Sequence, residues 1–165
     1  SLPVPVLCAV NGPAAGGGVG LALAGGAALA ARSAYFYLPF VPSLGLVPDM
    51  GSSWVLPRTA GRARAMGLAL LGDRLPAQQA ADWGLIWECV DDEQLPARTQ
   101  ALAARLAALP GEAVAEARAL FTAAEHNDLA AQLALEKDRQ QALLGRPAFA
   151  QGLAAFLQRR KPTFG

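Results

Sequence analysis

The chain has 165 residues, 53% of them hydrophobic and 16% charged, enough apolar material for a buried core and too little charge for a disordered segment. Its 14 basic and 13 acidic residues leave a net charge of +1, which excludes a global field that would draw it to nucleic acid or to an anionic membrane. Cys8 and Cys89 belong to no Cys-x-x-Cys pair, so neither a disulfide framework nor a metal site is expected, and a reducing cytoplasm is the default location.

Taken in chain order, Val4–Val10 reads as a strand that ends at Asn11-Gly12-Pro13. Three consecutive glycines, Gly16, Gly17 and Gly18, then lead into a short helix from Val19 to Ala24 that is too apolar to face water. Ala28–Ala31 and Tyr35–Leu38 read as further short strands. Pro39, Pro42 and Pro48 predict a loop up to Asp49, and Gly51-Ser52-Ser53 before Trp54 predicts a helix start with serine caps. Gly61–Leu71 reads as a helix closed by Gly72, and Pro76 opens another that runs to Trp83-Gly84. Leu85–Val90 is the last expected strand. From Asp91 onward the pattern is helical, with Leu95, Leu102, Leu106 and Leu109 spaced for one apolar face. Helices over 112–125, 129–144 and 147–160 follow. The layout is α/β, with strand and helix units first and a helical layer after them.

Two features bear chemistry. Glycines between a strand and a helix let backbone amides approach a ligand closely and favour negative charge there, although a tight structural turn needs the same residues. Asp49 is the one acid before Asp73, in an apolar stretch where desolvation would raise its pKa and suit it to proton transfer. An N-cap for the helix beginning near Gly51 is an equal use of that aspartate. A dinucleotide fingerprint and a P-loop both fail on spacing. His126 is the single histidine, expected at a solvated helix end, with no Gly-x-Ser-x-Gly serine to activate. Arg159-Arg160-Lys161 serves either a phosphate or the end of the last helix.

Ala9-Val10-Asn11-Gly12-Pro13-Ala14-Ala15-Gly16-Gly17-Gly18, then Ala30–Ala34, then Leu44-Gly45-Leu46-Val47-Pro48-Asp49, resemble in order and spacing the crotonase superfamily of enoyl-CoA hydratases and isomerases. The resemblance runs through Leu56-Pro57-Arg58, Gly61-Arg62-Ala63, Ala80–Leu85 and Phe156–Lys161. Within it, Arg64–Gly72 and Trp83–Trp87 look most like the phenylacetate-pathway isomerases. It implies a crotonase (ClpP-like) spiral of ββα units, of which 1–90 would be the core without its first strands, the N-terminal third being absent from the chain. Residues 91–165 would be a helical oligomerisation region, and the assembly a trimer or a dimer of trimers. The chain's opening at Ser1 fits a fragment. A natural chain that began there would lack the adenine-binding loop and would point to a binding-only or structural member.

The resemblance also implies an acyl-CoA thioester as substrate, with coenzyme A entering as part of it and no metal or other cofactor. The thioester carbonyl lies between two backbone amides, one of them that of Gly17, which would hydrogen-bond an enolate oxygen. The hydratases' two glutamates fall here on Gly20 and on Phe40 or Val41, which cannot carry protons. Asp49 instead coincides with the aspartate that shuttles a proton in the isomerases. The same position holds the nucleophile of the related 4-chlorobenzoyl-CoA dehalogenases, the nearest alternative, although their tryptophan before the aspartate is replaced by Val41, Pro42 and Ser43. Gly16, Gly18, Gly20, Phe40, Met50 and Trp54 are the expected substrate-binding neighbours. Gly26 stands where the family usually has an aspartate.

Overall fold

The first strand, β1 (Leu7–Val10), pairs in parallel with β3 (Ala27–Ala31), and β3 pairs in parallel with β6 (Glu88–Val90), giving a sheet in the order β1-β3-β6. This is the computed structural model of the chain, and it describes Leu2 and residues 4–164; Ser1, at which the expected core opens, lies outside the described residues, as do Pro3 and Gly165. β3 is flanked on both edges, and Ala28, Leu29, Ala30 and Ala31 are all buried. Such a strand reads as a continuous apolar run without alternation, as parallel pairing with covered faces requires.

A second sheet joins β2 (Pro13–Ala15) in parallel to β4 (Tyr35–Tyr37), and β4 antiparallel to β5 (Leu75–Pro76). Neither β2 nor β5 is among the expected strands. Two or three residues are too few to display a period, and only pairing with distant β4 makes them strands. Conversely, the expected strand Leu85–Val90 shortens to Glu88–Val90. Leu85 and Ile86 instead donate their amides to Ala80 O, turning the chain after helix α4 (Ala77–Asp82).

Helix α1 (Gly17–Leu23) follows β2, and α2 (Ser52–Thr59) and α3 (Arg62–Leu71) pack on one another. The proline-rich segment expected as loop contains a π-helical turn over Phe40–Leu44, closed by Gly45 in the left-handed region with φ 63°. Gly72 ends α3 in the same conformation, with φ 67°. The apolar core gathers Val19, Leu29, Phe36, Leu38, Leu56, Leu68, Leu75, Leu85 and Ile86, with Leu95 and Leu102 from α5 (Leu95–Ala107). Of the four leucines expected on one face, Leu95 and Leu102 are buried and Leu106 half-buried, whereas Leu109 lies beyond the end of α5 and is exposed.

By its contacts the chain forms two compact units, Val6–Ala103 and residues 104–165 together with 1–5, dividing within α5. In the second unit, α6 (Gly111–Ala124), α7 (Leu129–Leu144) and α8 (Pro147–Leu157) form a helical array. Asp128 caps α7 by accepting from Ala131 N at 2.8 Å, and the ion pairs Arg139–Glu116 (3.2 Å) and Arg146–Glu112 (3.4 Å) link its helices. Arg118 donates to the carbonyls of Leu2 and Val4 at 2.9 and 2.8 Å.

A polar clamp ties the turn after β3 to the segment after β6. Arg32 Nε donates to Asp91 Oδ1 at 2.9 Å, Ser33 N donates to Asp92 Oδ1 at 3.0 Å, and Ser33 Oγ donates to Asp92 Oδ2. The two bonds from Ser33, that of the side chain first, hold the Asp92 carboxyl below the usual carboxylate range. A depressed folded-state pKa contributes stability that is present above the unfolded value, about 3.9, and is lost as pH falls through the folded value. Urea unfolding is therefore expected to show a loss of stability below about pH 4 that is smaller in Ser33→Ala. An identical acid dependence in the two proteins would rule out this source.

Candidate active site

Gly16 has φ 57° and ψ −127°, a conformation open to glycine, and donates its amide to Tyr37 O at 2.8 Å, which anchors the turn to the end of β4. Val19 N closes back on Gly16 O at 3.0 Å. Among the described residues the amide of Gly17, the first of α1, has no acceptor, as befits the free first turn of a helix.

Asp49 reaches this turn from the other side. A Cβ placed on Gly17 would stand 3.3 Å from Asp49 Oδ1 and 3.0 Å from Met50 Cγ, so the carboxylate and the Met50 side chain both lie directly beside Gly17. A Cβ on Gly16 would touch the Phe40 ring at 3.4 Å, while Gly18 faces open space. At Gly20 a Cβ would fall 2.1 Å from the carbonyl oxygen of Met50, inside any permissible contact. The place a side chain would take at Gly20 is thus filled by backbone of the Asp49–Met50 segment, a contact that no sequence period announces.

Asp49, Phe40 and Met50 therefore converge on Gly16, Gly17 and Gly20, whereas Gly18 is left open. Trp54 is not among the nearest neighbours of those glycines; it lies on α2 with Arg58 over its ring at 4.2 Å. Two expectations about the Asp49 segment are corrected. Asp49 is exposed rather than enclosed, because the apolar residues beside it in sequence do not fold over it: Leu46, Val47 and Met50 are themselves exposed. Nor does a serine or Asp49 cap α2. Its N-cap is Gly51, no side chain caps it, and the buried Ser52 hydroxyl turns back to donate to Asp49 O at 2.6 Å.

Gly26 would meet nothing closer than Val6 O at 3.7 Å if it carried a Cβ, so space does not explain why glycine stands there. His126 is exposed past the end of α6. Arg159, Arg160 and Lys161 are exposed past the end of α8, where Arg160 donates to Gln158 Oε1 at 2.8 Å. Arg160 also donates to Lys161 O at 3.3 Å.

Two sheets built on parallel pairs, with helices packed about them, make the chain an α/β protein, and the solved structures it superposes on share the crotonase fold. Residues 1–165 match the family model for enoyl-CoA hydratase/isomerase, and the chain belongs to that family. It is 53% identical over 164 residues to 1,2-epoxyphenylacetyl-CoA isomerase of Escherichia coli (strain K12), covering 99% of this chain and 62% of that protein. It is 49% identical over 165 residues to a protein of Rhodobacter capsulatus named "probable enoyl-CoA hydratase", covering 99% of this chain and 63% of the relative. A crystal structure of an enoyl-CoA hydratase from Polaromonas sp. JS666 superposes with a TM-score of 0.93 at 37% identity, over 99% of this chain and 63% of that one. The chain thus spans somewhat less than two thirds of these relatives' lengths. Among the described residues, no helix is long and apolar enough to cross a membrane.

Proposed function

We propose that the protein is an acyl-CoA isomerase that moves a proton, and with it a double bond, beside a thioester. The observation that carries this reading is the position of Asp49 Oδ1, which would lie 3.3 Å from a Cβ on Gly17. A thioester oxygen that accepts from the Gly17 amide brings the carbon next to the carbonyl within range of the Asp49 carboxylate. Asp49 takes a proton from that carbon, the electron pair moves into the enolate oxygen, and the amide stabilises the charge as it forms. Collapse of the enolate returns the proton from Asp49 to a different carbon, so substrate and product have the same composition. In the family a second backbone amide completes the oxyanion hole.

Phe40 and Met50 wall the reacting end, packed against Gly16 and Gly20, while Gly18 leaves room beside the thioester and Trp54 extends the wall along α2. Coenzyme A is part of the substrate, and the chemistry calls for no metal or redox group. Residues 1–90 would carry the site and 91–165 the self-association into a trimer or a dimer of trimers. A place in phenylacetate or fatty-acid degradation in the cytoplasm suits such an enzyme.

The test is a panel of enoyl-CoA, epoxyphenylacetyl-CoA and 4-halobenzoyl-CoA thioesters offered to the intact natural protein. An isomeric product of unchanged mass is expected from one of the first two classes. A product one water heavier overturns the reading in favour of hydration, and halide release overturns it in favour of a nucleophilic Asp49.

A further inference from the structure

Asp49 is exposed, and among the described residues its carboxylate accepts no hydrogen bond, so nothing at the carboxylate itself fixes its aim. What is fixed is the peptide that bears it. Met50 has φ 49° and Gly51 φ 78°, two consecutive left-handed residues, and Ser52 N donates to Asp49 O at 2.9 Å. This is a tight turn of the mirror-image type over Asp49–Ser52. Glycine accepts such a backbone freely, whereas Met50 is strained in it and holds only where its surroundings over-determine it.

The surroundings include one buried polar side chain. Ser52 is fully buried, with 0% of its surface exposed, and its hydroxyl donates at 2.6 Å to the same Asp49 carbonyl that already accepts from its amide. The carbonyl of Asp49 is held by two donors of one residue at the start of α2. On the far side of the turn the Met50 carbonyl abuts Gly20 of α1. A buried hydroxyl satisfied by a single backbone acceptor has no alternative partner to move to, so the bond persists once the turn has formed.

We infer that Ser52 is a positioning residue for the isomerisation: by pinning the Asp49 carbonyl it sets the direction in which the Asp49 carboxylate leaves the backbone, and so its reach past Gly17. The inference rests on the reading of Asp49 as the proton carrier. Among the described residues Ser52 makes no hydrogen bond to the carboxylate, and its effect passes through the Asp49 backbone.

Kinetics of Ser52→Ala, Ser52→Thr and Asp49→Asn in the intact natural protein, with the thioester that wild type turns over fastest, test this. Ser52→Ala keeps the amide bond and is expected to lower kcat about tenfold with KM unchanged, because misaiming a proton carrier costs rate and not binding. The acid limb of its pH–rate profile should stay in place, since the hydroxyl does not bond the carboxylate. Ser52→Thr retains the hydroxyl and should recover most of the lost kcat. If the alanine variant does not fold, Ser52→Cys, with similar volume and a weaker donor, is read in the same way. An inactive Asp49→Asn beside a Ser52→Ala with wild-type kcat overturns the positioning role alone. So does a Ser52→Ala whose rate the threonine variant does not recover. A fully active Asp49→Asn overturns the function on which the role depends.

Discussion

Replacing Asp49 by Asn in the intact natural protein is expected to lower isomerase turnover by about 10²–10⁴-fold while leaving acyl-CoA binding intact. The amide has nearly the shape of the carboxylate and cannot accept a proton. Because Asp49 is exposed and its side chain bonds no described residue, its replacement should also leave the unfolding midpoint where it was, which separates lost chemistry from lost fold. Steady-state rates together with the Kd of a non-reacting acyl-CoA check the point. Unchanged turnover would exclude Asp49 as the proton carrier. Intact mass of the protein during turnover adds a second reading, because a base forms no bond to the acyl group. An adduct on Asp49 would identify a nucleophile and shift the assignment to dehalogenase-like chemistry.

The second large effect concerns stability and lies away from the site. Gly72 closes α3 at φ 67°, and a Cβ there would stand 2.5 Å from Pro42 Cγ, in a ring that cannot swing aside as a flexible chain would. Gly72→Ala therefore carries two costs, about 1–2 kcal/mol for a left-handed L residue and about 1–3 kcal/mol for overpacking. Gly45 has nearly the same φ, 63°, with nothing within 4 Å of its would-be Cβ, so Gly45→Ala carries the first cost alone. Urea unfolding of the two variants should rank Gly72→Ala as the more destabilised. Pro42→Ala in the Gly72→Ala background should recover part of the difference. Equal losses at both glycines would mean that the Pro42 contact yields without cost. The effect would reach the site indirectly, since Pro42 belongs to the same π-helical turn as Phe40, whose ring lies against Gly16.

Read without coordinates, the chain already determines much of this picture. Its long helices follow from helix-forming composition and from stop residues: α7 spans Leu129–Leu144 in an alanine- and leucine-rich run and α3 ends at Gly72, because helix propensity and left-handed caps are local properties. The order of Gly16-Gly17-Gly18 and Asp49 along the chain likewise carries the family resemblance. Tertiary structure alone decides the rest. β2 and β5 are strands only by pairing with β4, and the proline segment winds into a π-helical turn closed by Gly45. Asp49 lies open to solvent although its neighbours in sequence are apolar, because burial depends on what packs over a residue and not on what adjoins it. Ser52 shows the same division: a serine just ahead of Trp54 suggests a cap, but Ser52 is the first residue of α2 and its hydroxyl turns to the Asp49 carbonyl because the left-handed Met50-Gly51 pair brings that oxygen within reach.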